Sequence, residues 1–259
     1  MMRALYTAAT GMTAQQLRID NIANNLANVN TTAFKKSRAD FEDLYYQKIR
    51  TGSGQTAAGT GRNDVVEVGH GTRTAALRRE FRPGAVVQDD VPSHMAIRGE
   101  GFFSLQTANG EELFTRNGAF SIDGEGNLVT TQGHTLSEAV TIPEGATISV
   151  SPDGVVFAQL QGEDPTEVGN IQLRRFINPS GLEALGSGLY RATELSGQPQ
   201  LGQPGAEGFG ELMSGVLESS NVDVAEELIS MIMAQRSYEL TSKAISTADE
   251  MLQATNRLK

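Results

Sequence analysis

Histidine and acidic side chains are the residues of this chain whose chemistry could support catalysis or metal binding. The three histidines, His70, His94 and His134, are scattered, and none begins the His-Glu-x-x-His pattern of a catalytic zinc site. The carboxylate pair at Asp89 and Asp90 falls in a predicted turn, where contact with water explains it better than general acid–base catalysis. We therefore expect no catalytic residues, no metal site and no cofactor, and we predict that the chain is not an enzyme.

Loops that could bind phosphate or activate a nucleophile are also missing from the sequence. No Lys follows a Gly, so there is no P-loop, and there is no Gly-x-Ser-x-Gly elbow. The absence of Cys excludes disulfides and thiolate nucleophiles. The run Asp123-Gly124-Glu125-Gly126-Asn127 faintly resembles a calcium-binding loop, but it lacks the alternating Asp residues and the closing Glu. We interpret it as a hairpin turn.

The composition narrows the class of protein. A formal net charge of −10 over 259 residues argues against nucleic-acid binding, which requires a broad basic surface. No run approaches the roughly 18 apolar residues of a membrane span, and the N-terminus lacks the apolar core of a signal peptide. Hydrophobic residues amount to 39% and there is no Trp, so we expect part of the chain to lie outside a globular core.

The N-terminal end carries apolar residues at helical spacing. Residues 2–29 contain no Pro and a single Gly, and apolar side chains recur every seven residues. This spacing predicts a helix whose seam faces another helix. Many Asn residues make a lone helix marginal here, so we expect it to need a partner. The seam runs through Leu5, Met12, Ile19 and Leu26, with a second track through Ala8, Gln15, Ile22 and Val29.

The C-terminal end carries a second seam of the same period. Asp223, with Glu226 three residues later, resembles a capping box, and a helix over residues 223–258 would be far longer than an ordinary globular helix. Two such seams favour a coiled coil, between copies or between the two ends of one chain, over helices packed on a core of their own. The seam runs through Val224, Met231, Tyr238, Ile245 and Leu252, reinforced by Leu228, Ala234 and Ala248.

The middle of the chain has the pattern of an antiparallel β domain. All 8 Pro lie within residues 52–210, and short β-prone runs flank turn sequences at 109–110, 123–126 and 152–154, which predicts three hairpins. Residues 51–61 are too rich in small side chains to form a core, and we predict a linker or an extended arm there. The expected fold class is therefore α+β, with long N- and C-terminal coiled-coil helices flanking a mainly antiparallel β domain.

Several stretches resemble the axial proteins that form the rod and hook of the bacterial flagellum. The resemblance covers both ends and the middle of the chain, and the two long terminal motifs stand at the ends where that family has them. The matching stretches are NIANNLANVNTTAFK at 21–35, IRGEGFF at 97–103, FTRNGAF at 114–120, SNVDVAEELI at 220–229, QRSYE at 235–239 and KAISTADEML at 243–252.

The resemblance implies a structural protein whose copies stack helically into a hollow, rigid rod that transmits torque to the hook. The length of the chain and the segment 46–63, which looks like an insertion of distal-rod subunits, favour the distal part of that rod. The implied regions are a terminal helical domain that forms an inner tube (1–45 and 216–259), an extended connector that includes the insertion (46–90 and 206–215) and an antiparallel β outer domain (91–205).

The resemblance also implies which residues take part in assembly. In the N-terminal helix these are Leu5, Met12, Ile19, Ile22, Asn25, Leu26 and Val29. In the C-terminal helix they are Val224, Leu228, Met231, Tyr238, Ile245 and Leu252. The rod-specific insertion contributes Tyr46, Gly52, Gly54, Gly59, Gly61 and Asn63.

The implied partners are further copies of the chain, proximal rod proteins, the hook protein, the P-ring and L-ring proteins and the flagellar type III export apparatus, but no nucleic acid. The implied location is the flagellar basal body, from the periplasm to the outer membrane, reached without a cleaved signal peptide. Two alternatives stay open at this point. One is another rod or hook-type axial subunit; the other is a cell-wall-binding β module with helical oligomerisation arms, which would need exposed aromatic side chains on its β domain.

Overall fold

The computed structural model describes residues 2–55, 61–138, 140–160 and 162–257. The chain divides into two compact units that each combine distant parts of the sequence. The first, called the helical unit, comprises Met1–Leu26, Ser37–Arg78 and Asp223–Lys259, and the second, called the β unit, comprises Ala27–Lys36 and Arg79–Val222. Among the described residues, no helix has the length and apolar character needed to cross a membrane.

Two long helices and two pairs of strands make up the helical unit. Helix α1 spans Met2–Ala27 and helix α2 spans Val224–Arg257. The strands are β1 (Ser37–Asp43), β2 (Tyr46–Gln55), β3 (Gly61–Gly69) and β4 (Thr72–Arg79). Strand β1 pairs with β4, and β2 pairs antiparallel with β3.

Both helices begin and end close to the positions that the sequence predicts. The Asp223 carboxylate caps α2, because its Oδ1 accepts hydrogen bonds from the backbone N–H groups of Ala225 and Glu226 at 2.8 and 3.2 Å. With 34 residues, α2 is about 51 Å long. The prediction of an α+β fold with one helix at each end and mainly antiparallel strands between them is confirmed.

The segment 51–61, predicted to be a linker or an extended arm, belongs in its described part to the antiparallel pair β2–β3. Residues 51–55 and 61 belong to β2 and β3, whose register runs from Tyr46 opposite Gly69 to Gln55 opposite Gly61. Backbone hydrogen bonds hold such a ribbon together and need no apolar side chains, so a composition without core residues does not exclude it. Residues 56–60 lie outside the described part of the chain.

Short strands make up the described part of the β unit. They are β5 (Val86–Gln88), β6 (Met95–Arg98), β7 (Phe103–Gln106), β8 (Glu112–Thr115), β9 (Ser121–Ile122), β10 (Leu128–Val129), β11 (Thr135–Leu136), β12 (Thr147–Val150), β13 (Val155–Gln159), β14 (Thr166–Asn170), β15 (Leu173–Arg175), β16 (Glu183–Gly186), β17 (Leu189–Arg191), β18 (Gln200–Gly202), β19 (Glu211–Ser214) and β20 (Val216–Glu218). The largest sheet has the order β16-β17-β8-β7-β11-β10-β9, and a second has the order β12-β13-β14. The remaining pairs are β15–β18, β6–β19 and β5–β20.

All three predicted hairpins are confirmed as the antiparallel pairs β7–β8, β9–β10 and β12–β13. In the β9–β10 turn, Asp123 Oδ1 accepts hydrogen bonds from the backbone N–H groups of Glu125 and Asn127 at 2.9 and 2.8 Å. These bonds, led by the one from Asn127, hold the pKa of the Asp123 carboxyl below its ordinary value. The sequence that resembles a calcium loop thus serves as the hairpin turn.

Two groups of buried side chains form the core of the β unit. The larger group is mainly aliphatic and includes fully buried residues of β6, β7 and β19. The smaller group consists of Phe102, Phe114, Phe176 and Tyr190, whose rings meet edge to face with centroids 4.9 to 6.1 Å apart. Aromatic pairs in this geometry add about 0.5–1.5 kcal/mol beyond the burial of their area.

Gly118 lies against β6, where no side chain fits. A Cβ atom on Gly118 would lie 1.5 Å from the carbonyl oxygen of Met95, and the Met95 N–H donates to the Gly118 carbonyl at 3.0 Å. We expect Gly118→Ala to lower the free energy of unfolding by about 3 kcal/mol, because β6 must move. Urea unfolding followed by circular dichroism measures the change.

Gly124→Ala is the matched control, because it adds the same methyl group where no atom lies within 4 Å of the new Cβ. Its free energy of unfolding should stay within about 1 kcal/mol of the unsubstituted chain. Equal effects of the two substitutions would contradict the close packing described at Gly118.

Candidate assembly helices and a buried polar junction

Helices α1 and α2 run antiparallel to each other within the helical unit. Near the end of α1, the side-chain amide of Asn25 donates hydrogen bonds to Glu227 at 3.4 Å and to the Ser37 carbonyl at 2.9 Å. Near the start of α1, a Cβ atom on Gly11 would lie 3.7 Å from Thr241 Cγ2, which is ordinary van der Waals distance. The two contacts are two heptads apart on each helix, so one register relates the helices.

The residues predicted to take part in assembly differ in how far the subunit covers them. The N-terminal ones are buried at Ile22 and Asn25 and half-buried at Leu5, Met12, Ile19, Leu26 and Val29. The C-terminal ones are half-buried at Met231, Tyr238, Ile245 and Leu252 and exposed at Val224 and Leu228. Val29 lies beyond the end of α1.

The covered side of α2 follows a heptad pattern along most of the helix. Every position of the pattern is buried or half-buried, and small side chains occupy two of the fully buried ones, Ala234 and Ala248. The positions are Glu227, Met231, Ala234, Tyr238, Thr241, Ile245, Ala248 and Leu252. The sequence seam therefore marks the side of α2 that the subunit itself covers in part.

A second apolar stripe on α2 is exposed. Its members recur at alternating intervals of four and seven residues, which places them along one line of the helix surface. Exposure is 60% at Ile229, 61% at Met233, 70% at Leu240 and 51% at Met251, and Ala244 is exposed between them. We call these five residues the outer stripe. The heptad analysis missed it, although its spacing is legible in the sequence.

The residues of the predicted insertion lie on the β2–β3 hairpin where the structure describes them. Tyr46 is exposed and begins β2, and Gly52 and Gly54 follow on the same strand. Gly61 begins β3, and Asn63 lies opposite Ser53 in the register. Gly59 lies outside the described residues.

Three fully buried charges meet inside the β unit. Glu218, at the end of β20, accepts hydrogen bonds from Lys35 Nζ at 2.5 Å, from Arg116 Nε at 3.0 Å and from the Gly84 N–H at 2.9 Å. The side chains of Lys35, Glu218 and Arg116 are 0%, 1% and 2% exposed. We call these three residues the charge cluster. Buried charges of this kind persist only when each is paired and hydrogen-bonded.

Arg116 also binds the core through carbonyl groups. Its NH1 donates to the carbonyls of Gly99 and Gly101 at 2.8 and 2.9 Å, and its NH2 donates to the Ile97 carbonyl at 3.0 Å. Lys35 Nζ makes one further bond, to the Arg82 carbonyl at 2.8 Å. The cluster thereby connects five separate stretches of chain.

Burial and neighbouring charges shift the pKa values of Glu218 and Lys35 in opposite directions. Burial alone would raise the pKa of the Glu218 carboxyl, but the charges of Arg116 and Lys35 outweigh it and hold that pKa below its ordinary value. Burial lowers the pKa of Lys35 despite the opposing pull of Glu218. The carboxylate form of Glu218 is therefore the form that the fold requires.

Asn221 joins three stretches of chain beside the cluster. Its side-chain oxygen accepts a hydrogen bond from the Lys36 N–H at 2.7 Å, and its Nδ2 donates to the carbonyls of Glu80 and Arg82 at 2.8 and 3.2 Å. Its own N–H donates to the Phe34 carbonyl at 3.3 Å. Charge cluster and Asn221 together form what we call the polar junction.

Sequence reasoning did not identify the polar junction as a site. Lys35, Arg116 and Asn221 all lie inside the family-like stretches, which was the available signal. Glu218 lies outside them, and no local pattern marks an acidic residue whose partner Lys35 is 183 positions away.

The remaining candidates from the sequence stay apart in the structure. His94 pairs with Asp89 at 3.0 Å, while His70 and His134 are half-buried elsewhere. Among the described residues, no three His, Asp or Glu side chains converge as a metal site would require. Every Phe and Tyr in the described part of the β unit is buried or half-buried, so that part offers no exposed aromatic platform for a carbohydrate.

Comparison with known proteins gives matches at both ends and in the middle of the chain. Residues 5–35 match the family described as flagella basal body rod protein. Residues 96–158 match the flagellar hook protein FlgE/F/G D1 domain, and residues 213–258 match the C-terminal region of the flagellar basal body rod FlgEFG proteins.

Individual relatives extend these matches to the whole chain. The chain is 47% identical to the flagellar basal-body rod protein FlgG of Borreliella burgdorferi, over 100% of this chain and 99% of that protein. It is 44% identical to FlgG of Caulobacter vibrioides over 100% of both. A flagellar hook protein FlgE of Helicobacter mustelae is 39% identical over only 52% of this chain and 30% of that protein.

The charge cluster predicts that replacing a buried arginine destabilises the fold much more than replacing an exposed one. We expect Arg116→Met to lower the free energy of unfolding by about 3–5 kcal/mol. The substitution removes one of the two cations paired with Glu218 and the hydrogen-bond donors to the carbonyls of Ile97, Gly99 and Gly101. The matched control is Arg191→Met, since Arg191 pairs with Glu111 and Glu183 at the surface and should cost at most about 1 kcal/mol. Urea unfolding at neutral pH measures both, and similar costs would contradict the assigned role of the cluster.

Proposed function

The chain belongs to the FlgG family of flagellar basal-body rod proteins, and on that premise we propose that its copies polymerise helically into the hollow, rigid distal rod that transmits torque to the hook. It is a structural subunit of the basal-body rod, from a family that is not enzymatic. The observation that carries the proposal is the outer stripe of α2. An exposed apolar line on a long helix is stabilised when a neighbouring helix covers it.

The two sides of α2 divide the work of assembly in this proposal. The heptad side holds α1 and α2 together within one subunit, through contacts such as Asn25 with Glu227. The outer stripe then packs against helices of neighbouring copies as a coiled coil, and the exposed Val224 and Leu228, on another side of the first turns of α2, make a separate contact between copies. Helices of many copies would in this way line the channel of the rod.

Each region of the chain has a place in the proposed rod. We assign residues 1–45 and 216–259 to the inner tube, residues 91–205 to the outer layer, and residues 46–90 and 206–215 to the connection between them. The β2–β3 hairpin carries the insertion residues that the structure describes, Tyr46, Gly52, Gly54, Gly61 and Asn63, and would supply extra contacts between copies that stiffen the rod. Its paired backbone makes it a more rigid contact element than a linker of small residues.

The proposed partners follow from the place of such a rod in the flagellum. They are other copies of the chain, proximal rod proteins below, the hook protein above, the P-ring and L-ring proteins around the rod and the type III export apparatus before assembly. The proposed path runs from the periplasm to the outer membrane. The hook-type alternative is less well supported, because the hook relative matches only 52% of this chain.

A charge placed in the outer stripe should prevent polymerisation. Leu240 is 70% exposed, so Leu240→Glu leaves the fold of the subunit unchanged but would bury a carboxylate at each contact between copies. Sedimentation velocity over a concentration series should show fast-sedimenting assemblies for the unsubstituted chain and only single subunits for the variant. Circular dichroism should show the same helix content for both.

Gln235→Glu is the matched control, because it adds the same charge to the same helix at an exposed position outside the stripe. This variant should assemble like the unsubstituted chain. Assemblies of normal size formed by Leu240→Glu would contradict the proposed role of the outer stripe.

A further inference from the structure

We propose that the charge cluster is a releasable clasp: when Glu218 loses its charge, the segments Ala27–Lys36 and 216–222 detach together while the core of the β unit stays folded. The inference goes beyond polymerisation and does not depend on it, because every contact of the clasp lies within the β unit of one subunit.

Several hydrogen bonds connect the two segments directly. The Ala33 N–H donates to the Glu218 carbonyl at 2.8 Å, the Asn221 N–H donates to the Phe34 carbonyl, and the Lys36 N–H donates to Asn221 Oδ1. These bonds cross from the first segment to the second, so the segments form one strip of structure. A strip of this kind leaves or stays as a whole.

Little apolar burial attaches the strip to the core. Within the two segments only Ala33 and Val222 are buried apolar residues. Strand β20 pairs with β5 alone, and the side chains of β5 are all exposed. Hydrogen bonds to residues 80–85 also attach the strip: Lys35 and Asn221 donate to the Arg82 carbonyl, and the Ser219 N–H donates to the Ala85 carbonyl. Because a two-stranded pair is marginal in water, such bonds hold the strip, and the bonds of the Glu218 carboxylate are the ones that weaken when its charge is lost.

Arg116 stays with the core when the strip leaves. Three of its hydrogen bonds go to the carbonyls of Ile97, Gly99 and Gly101, and these do not involve Glu218. The separation therefore occurs at the bond between Arg116 and Glu218. This asymmetry lets the strip detach without opening the core.

Ala33 adds backbone strain that release would relieve. Its φ is +56°, a left-handed conformation that is unfavourable for a residue with a Cβ. Such a conformation persists only where the surroundings enforce it. The hydrogen bond to the Glu218 carbonyl and the burial of the Ala33 side chain supply that enforcement.

The groups that face Glu218 decide when it loses its charge. They are Lys35, Arg116 and Tyr190, and burial raises the pKa of the Tyr190 phenol, which stays neutral in acid. Since the folded Glu218 titrates below the unfolded one, its stabilisation is complete above the ordinary glutamate value of about 4.3. It is lost as the pH falls through the lower, folded value, which leaves two buried cations without a counter-charge.

Hydrogen exchange measured by mass spectrometry on the full chain, kept dilute and unpolymerised, tests the clasp. In Glu218→Gln at neutral pH, peptides from the segments Ala27–Lys36 and 216–222 should exchange about 100-fold faster than in the unsubstituted chain. Peptides from β7, β12 and β13 should exchange at unchanged rates. The matched control is Glu112→Gln, which removes a carboxylate bound to Arg174 at 3.2 Å in the same unit and should leave both segments protected.

The unsubstituted chain provides a second measurement that does not require any variant to fold. With labelling times scaled to equal intrinsic exchange, both segments should lose protection as the pH falls below about 4.3, before the core strands do. Unchanged protection of the segments in either experiment would overturn the proposal. An equal loss of protection across the core strands would overturn it as well, because the cluster would then be an ordinary part of the core.

Discussion

Three charges removed from water must remain together, and this constraint governs the β unit. Lys35, Arg116 and Glu218 come from distant parts of the chain, yet each is almost fully buried. Lys35 and Glu218 cannot keep their buried places without each other, because a buried charge without its partner costs several kcal/mol. The segments that carry Lys35 and Glu218 are therefore fixed to each other, although 183 positions separate the two residues.

The helical unit follows a different rule, in which polar groups set the register and apolar groups supply contact area. Asn25 binds both Glu227 and the start of β1, so it aligns α1 with α2 and with a strand at one point. Gln15 Oε1 is a buried acceptor for which the described residues supply no donor, so the covered seam is not built for maximal stability. Polar groups in a helix seam trade stability for a defined alignment.

Local sequence signals predicted the local elements well. Heptad spacing located both helices, the Asp223 cap located the start of α2, and turn sequences located three hairpins. The β2–β3 ribbon was not predictable, because its backbone pairing leaves no trace in side-chain composition. The buried role of Glu218 was not predictable either, since it depends on an ion pair with a lysine 183 positions away. The outer stripe was predictable from its spacing, but it lies about a third of a turn around α2 from the heptad seam and was not part of that pattern.

The two ends of the stretch between Lys36 and Glu80 lie together, which affects how its length can change in evolution. The Glu80 N–H donates to the Lys36 carbonyl at 3.0 Å, and Asn221 binds both residues. The two ends of the intervening stretch are therefore held together by hydrogen bonds. Residues added within this stretch therefore need not move its two ends apart. The stretch between Lys36 and Glu80 is thus a region where related proteins can differ in length and where a foreign peptide can be inserted.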